Sequence, residues 1–244
     1  MNSSAARVMG HRGVPSLAPE NTLGGFIKAI ELGARWLELD VTLLGDLTPV
    51  VHHDNSLDRC SDGSGLLSQL ALKDLDNINN AALFPDWPFE PVPTLKDVLV
   101  LLMQKGVGLN LEIKRHQFSS ALISQIVVDQ LLQHFLSDKL VVSSFDVEVL
   151  AECLRLAPEI PRGLICSRLP SDWQSLALEL ELTSIHCDGR YLNQAQTLAI
   201  KDQGYRLFCW TINDALLADR LWGWGIDGLM TDYVQDFIHY YDDQ

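Results

Sequence analysis

Nowhere in the 244 residues is there an uninterrupted apolar run of the roughly 20 residues that a membrane-spanning helix needs. Cysteine is sparse and unpatterned: Cys60, Cys153, Cys166, Cys187 and Cys209 form no C-x-x-C pair. That spacing indicates neither a zinc knuckle nor a disulfide framework. It predicts small buried hydrophobes in a reducing compartment. Positive charge is scarce as well. Eighteen Lys and Arg stand against 32 Asp and Glu, leaving a formal net charge of -14. A broad nucleic-acid or anionic-membrane surface needs the opposite balance, so the chain is expected to have no nucleic-acid partner and no membrane span. A small anionic substrate is compatible with this charge, because a metal ion and a few cations reverse the field inside a cleft. The first ten residues lack the apolar stretch of a signal peptide, and the expected location is cytoplasmic. Linkers and low-complexity stretches are missing too, so one domain over 1–244 is expected.

What is present is enough apolar material, 47% of residues, for one sizeable core. Short β-branched or apolar runs alternate with segments of helical period. The candidate strands are 7–9, 36–41, 107–113, 140–143, 162–166, 184–187, 206–211 and 228–231. Helix-like stretches lie in most of the intervals. Residues 22–32 have Asn21 as a candidate N-cap and Gly33 as a C-cap, 94–104 follow Pro93, and 214–222 follow the cap-like Asn213. Strand and helix repeated to a count of eight predict an α/β fold, a TIM (β/α)₈ barrel.

One segment breaks this rhythm. Between Val41 and Val50 there is room for a turn but not a helix, so Pro49–His53 is expected to return antiparallel to the second strand. Residues 54–93 then form a small insertion of turns, with one helix near 68–75, over the barrel's C-terminal face.

Glu38 and Asp40 are two apart on a strand and share a face. In a two-residue turn, at Gly45-Asp46 or Asp46-Leu47, even positions pair with odd ones. His53 then joins the carboxylates while His52 points away; a three-residue loop or bulge would reverse that choice. Gly45 is the candidate for the positive-φ position of the turn. Asn110, Glu112 and Lys114 likewise share one face. Polar residues facing a barrel interior are costly unless paired or metal-bound. Glu38, Asp40 and Glu112, converging from neighbouring strands, make a hard-oxygen site for a divalent metal, Mg²⁺ or Ca²⁺. His11-Arg12-Gly13 ends the first strand and brings an imidazole and a guanidinium to the same rim. Arg12 and Lys114 suit phosphate oxygens. Singly, each feature has a bland reading: a Glu-x-Asp is ordinarily a solvated edge, and Trp210 is by default core. His116, His134, His186 and His239 are expected to be structural. The combination at strand C-terminal ends is what points to catalysis.

Several motifs occur in a recognisable order: His11-Arg12-Gly13, Pro19-Glu20-Asn21-Thr22, Glu38-Leu39-Asp40-Val41, His53-Asp54 with Leu57 and Arg59, Pro93-Thr94-Leu95, Leu111-Glu112-Ile113-Lys114, Ser143-Ser144-Phe145 and Trp210-Thr211-Ile212-Asn213. Together they resemble the glycerophosphodiester phosphodiesterase family, most nearly its bacterial cytoplasmic members, from residue 7 to about residue 235. The resemblance implies metal-dependent hydrolysis of small-molecule glycerophosphodiesters, such as glycerophosphocholine or glycerophosphoethanolamine, to sn-glycerol 3-phosphate and an alcohol. It implies His11 and His53 as the acid/base pair and Glu38, Asp40 and Glu112 as metal ligands, with substrate held by Arg12, Lys114 and Trp210. Two alternatives are a phospholipase D-like relative acting on lysophospholipids and a non-catalytic phosphodiester-binding barrel; the retained histidine pair argues against the second. Oligomeric state has no signature in the sequence.

Overall fold

The computed structural model describes residues 7–241. In chain order its elements are β1 (Val8–His11), α1 (Leu23–Glu31), β2 (Trp36–Leu43), β3 (Pro49–Val51), α2 (Leu95–Lys105), β4 (Gly108–Ile113), α3 (Ser120–His134), β5 (Leu140–Ser144), α4 (Val147–Leu156), β6 (Arg162–Cys166), α5 (Trp173–Glu179), β7 (Ser184–Asp188), α6 (Gln194–Asp202), β8 (Arg206–Trp210), α7 (Ala215–Trp224), β9 (Gly228–Thr231) and α8 (Val234–Tyr241). Eight strands are parallel neighbours, and β1 pairs with both β2 and β9, which closes the ring. β3 lies outside it, antiparallel to β2. The fold is a TIM barrel. All eight barrel strands are predominantly buried, because helices cover one face and the barrel interior the other.

Outward residues such as Leu37, Leu39, Leu109 and Leu111 pack under α1, α2 and α3, and Ile185, Leu207 and Leu229 pack under the later helices. Inside, Met9, Trp36, Phe208 and Met230 fill the N-terminal half. Gly108 permits this: a Cβ there would stand 2.4 Å from the Trp36 ring. With that half largely plugged, the inward carboxylates, Lys114 and His11 gather in the C-terminal half. The five cysteines are unpaired and buried, and among the described residues no helix is long and apolar enough to cross a membrane.

The hairpin departs from the expected two-residue turn. Leu44 N–H bonds to Thr48 O, and the β2–β3 register pairs Thr42 with Val50, so even positions face even ones. The loop is therefore three residues long, Gly45-Asp46-Leu47. Leu47, not Gly45, takes the left-handed conformation, with φ 67°. Asp46 accepts the Thr48 N–H, which holds the type of turn that ends in a left-handed residue. Gly45 is needed for another reason: its Cβ would lie 2.4 Å from the Ser68 carbonyl oxygen of the insertion. The insertion has two short 3₁₀ turns, Leu67–Gln69 and Leu72–Leu75, where one helix was expected. A small core of Leu44, Val50, Leu57, Leu67, Leu75 and Val92 ties it to the hairpin.

Candidate active site

Asp40 on β2 stands in register with Glu112 on β4, and Glu38 lies one pleat below Asp40 on the same face. The three offer carboxylate oxygens within 4.8 Å of one another, all buried. Lys114 contacts both Glu112 and Asp40, the latter at 3.3 Å. Arg12 places Nε 3.2 Å from Asp40 Oδ2 and donates its backbone N–H to Glu38 Oε2 at 3.1 Å. Burial alone would raise the Asp40 pKa, but Arg12 and Lys114 outweigh it and hold the carboxyl well below its usual range. Glu38 goes the other way: burial, then the charges of Asp40 and Glu112, push it well above the usual range. Glu112 is pushed up to about 7, by burial first and Asp40 second.

Around the cluster the carboxylates outnumber the permanent cations. Counting outward, Glu20, Glu38, Asp40, Asp54, Glu112 and Asp232 face only Arg12, Arg59 and Lys114 as permanent cations. Asp40 Oδ1 is buried, and its one close cation is the Lys114 ammonium at 3.3 Å. Three convergent, buried hard-oxygen donors with a surplus of negative charge around them fit a divalent cation bound by Glu38, Asp40 and Glu112.

The loop after β1 is built to deliver Arg12. Gly10 admits the Gly13 carbonyl, which would be 2.4 Å from any Cβ. Arg12 and Asn21 both have φ 53°, and Asn21 N–H donates to Arg12 O at 3.0 Å. Left-handed non-glycine residues cost on the order of 1–2 kcal/mol each, and such strain concentrates at functional sites. Asn21 is not the N-cap of α1. Thr22 is, accepting from Gly25 N–H, while Asn21 Nδ2 donates to Asp40 Oδ2 at 2.9 Å. Asn213 shows the same displacement: Asp214 caps α7, and Asn213 Nδ2 donates to Asp232 Oδ2 at 2.7 Å. In both loops a residue with cap chemistry sits one position early and orients a site carboxylate instead.

His11 and His53 line one cavity of about 140 Å³ together with Arg12, Glu38, Glu112, Lys114 and Trp210. Each imidazole has its Nδ1 against a carboxylate: His11 with Asp232 Oδ1 and His53 with Asp54 Oδ1, both at 2.7 Å. An ionised carboxylate only accepts, so Nδ1 carries the proton and Nε2 is left free to take one. His11 Nε2 is 4.0 Å from Glu38 Oε2. Burial lowers the His53 pKa, and nearby Arg12 and Lys114 add to this against the pull of Asp40. These influences favour the neutral form of His53.

Strand parity does not explain why His53 faces the cavity. The three-residue loop puts His52 opposite Asp40, and His52 N–H donates to Asp40 O at 3.0 Å. However, β3 ends at Val51, so alternation no longer governs either histidine. His52 is buried with Nε2 3.0 Å from the Ser56 carbonyl, and the chain turns His53 toward the carboxylates. Asp54 is gripped by Arg59 at 2.5 Å, and Arg59 also makes two 2.8 Å bonds to Glu20, which accepts from Arg12 at 3.0 Å. This chain connects the insertion to the β1 loop. Trp210 forms a wall, its Nε1 donating to His186 O at 3.0 Å and Phe145 packing edge-on at 5.6 Å.

The family model for the glycerophosphoryl diester phosphodiesterases matches residues 11–236. The chain belongs to that family. A glycerophosphodiester phosphodiesterase of Caldanaerobacter subterraneus is 31% identical over 237 residues, covering 95% of this chain and 96% of its own. YhdW of Bacillus subtilis is 33% identical over 236 residues, covering 95% of this chain and 96% of its own. An Oleispira antarctica phosphodiesterase, solved with the product sn-glycerol-3-phosphate, superposes with TM-score 0.89 at 34% identity, covering 96% of each chain. This enzyme is thus a glycerophosphodiester phosphodiesterase.

All eight residues expected at the enzyme's site line one cavity or, for Asp40, its carboxylate cluster. Sequence reasoning assigns no role to Asp232, Glu20 or Asp54 and reads Asn213 only as a helix cap. Asp232 follows the last strand, and the strand-end rule that marked Glu112 would have marked it too. His186, expected to be structural, is buried inside the barrel and also lines the cavity. The side chain of His239 lies outside the described residues.

Proposed function

We propose that residues 1–244 act as one catalytic barrel that hydrolyses glycerophosphodiesters of deacylated phospholipids, glycerophosphocholine or glycerophosphoethanolamine among them. The products are sn-glycerol 3-phosphate and an alcohol. In this reading the insertion at 54–93 lies over the C-terminal face, and His11 and His53 are the acid/base pair. Glu38, Asp40 and Glu112 hold Mg²⁺ or Ca²⁺. The observation that carries the reading is the pair of imidazoles, each with Nδ1 on a carboxylate, in the cavity of the carboxylate cluster.

When bound, the metal supplies a Lewis acid that offsets negative charge on a non-bridging phosphate oxygen. The chain's own residues do the rest. Arg12 and Lys114, which stand beside the carboxylates at the cavity, hold the phosphate. One imidazole, neutral, takes a proton from the nucleophile at Nε2, and the other, entering as the imidazolium, gives its Nε2 proton to the leaving alkoxide. Trp210 and Phe145 present an apolar wall to the glycerol carbons.

The test is turnover of glycerophosphocholine, glycerophosphoethanolamine and glycerophosphoglycerol by chelated protein, with Mg²⁺ or Ca²⁺ added back. Release of glycerol 3-phosphate only with metal is expected. Equal rates in chelator, or no release from any of the three, would sink the proposal. A cytoplasmic site of action is part of this reading, supported by five unpaired cysteines; recovery of the protein outside the cytoplasm on cell fractionation would exclude it.

A further inference from the structure

A cavity larger than the catalytic chamber is at the other end of the barrel, where the strands begin. It measures about 800 Å³, against about 140 Å³ for the catalytic chamber, and is within the usual range for sites that take organic ligands. Its apolar lining includes Trp36 and Phe208, the two rings that close the barrel bore, with Tyr205 beside them. Its charged residues are Lys139, Arg206 and the exposed Asp138. An adjoining hollow shares Lys139 and adds Arg35 and Lys105.

This concentration of cations is out of character for the chain. Its net charge is -14, yet four of its 18 Lys and Arg gather around one mouth. Elsewhere seven cations, Arg12, Arg59, Lys114, Arg115, Arg155, Arg190 and Lys201, make ion pairs, and Arg7, Arg168 and Arg220 lie over aromatic rings. Arg35, Lys105, Lys139 and Arg206 make none among the described residues, and Lys139 has only the Gly106 carbonyl, at 3.3 Å. Lys105 has an ordinary explanation, since it ends α2 and complements the helix dipole. Arg35 and Arg206 have no such explanation, because they stand at strand beginnings, where no dipole favours them. Unpaired cations above an aromatic floor suit a ligand with an anionic group at one end and an apolar body at the other.

We propose that the N-terminal mouth of the barrel is a second binding site, distinct from the catalytic chamber, for an organic anion with an apolar body. The anionic group meets Lys139 and Arg206, and the body lies against Trp36 and Phe208. The source of such a ligand is either an acyl-chain phosphate or an aromatic phosphate, and the choice of probes separates the two.

Calorimetric titration of the full chain, with its catalytic chamber saturated by Mg²⁺ and glycerol 3-phosphate, tests this with octyl phosphate, AMP and inorganic phosphate. Saturable 1:1 binding is expected for octyl phosphate or for AMP, about tenfold or more tighter than for inorganic phosphate. The double variant Lys139→Glu/Arg206→Glu should weaken it at least about tenfold while leaving turnover intact. Lys139→Ala and Arg206→Ala, each alone, serve as milder checks should the double variant unfold. The proposal is overturned if neither organic anion saturates, if inorganic phosphate binds as well as both, or if neither alanine variant nor the double variant weakens binding.

Discussion

His52 and His53 are adjacent, yet the structure gives them opposite surroundings. His53 opens onto the cavity and bonds to Asp54, whereas His52 is buried on the Ser56 carbonyl. Replacing His53 with Ala should reduce kcat by at least about a hundredfold, the scale of acid/base catalysis, with little change in Tm. His52→Ala should do the reverse, costing about 1–3 kcal/mol of stability through a lost buried bond and leaving kcat near normal. Steady-state kinetics and urea denaturation on both variants check the pair; equal loss of activity in both would refute the division. In the proposed mechanism Asp232, bonded to His11 Nδ1, acts through that imidazole rather than on substrate, so Asp232→Ala should lower kcat about 10–100-fold with KM held, and Asp232→Glu should restore part of it. A KM rise with unchanged kcat would instead make Asp232 a substrate contact.

At the level of elements, the β2–β3 hairpin decides how the insertion is attached. Its three-residue loop makes Leu47, a branched residue, take φ 67°. The left-handed conformation costs about 1–2 kcal/mol for such a residue. A glycine would relieve that but lose about 0.5–1 kcal/mol to unfolded-chain entropy. Relief wins narrowly, and Leu47→Gly should stabilise the protein by about 0.5 kcal/mol or a little more, read as a shift in urea midpoint. Destabilisation would mean that the half-exposed Leu47 side chain contributes packing of greater value. The same hairpin illustrates how much of an element is legible locally. The antiparallel return of residues 49–51 follows from chain length alone, but loop length, and with it register, depends on Gly45 meeting the Ser68 carbonyl from a segment 23 residues on. No pattern within 41–53 encodes that contact.

On the scale of the whole molecule, Glu20 joins the β1 loop to the insertion through Arg12 and Arg59. Burial would raise its pKa, but the hydrogen bonds and charges of Arg59 and Arg12 outweigh that and bring it from 4.5 to about 2. A carboxyl whose folded pKa is depressed takes up its proton more readily when unfolded. Its contribution to stability is therefore present above pH 4.5 and disappears as pH falls toward 2. Urea midpoints measured from pH 6 down to pH 3 should drop for the native chain and drop less steeply for Glu20→Gln. Parallel curves would show that the clamp contributes nothing to acid sensitivity.

The sequence by itself determined the barrel, because apolar strands buried on both faces and spaced by amphipathic helices allow few other closures. It also determined the carboxylate cluster, since residues two apart on a strand share a face wherever that strand sits. Loop conformation was decided only by the tertiary structure. Asn21 and Asn213 have the chemistry of helix caps, and only the arrival of Asp40 and Asp232 beside them turns their amides to the site. His53 reaches the cavity because β3 stops at Val51 and irregular backbone takes over, where side-chain direction no longer follows from position in the chain. Periodicity is a local property of regular backbone, whereas the partners of a loop residue come from segments far along the chain, and only folding brings them together.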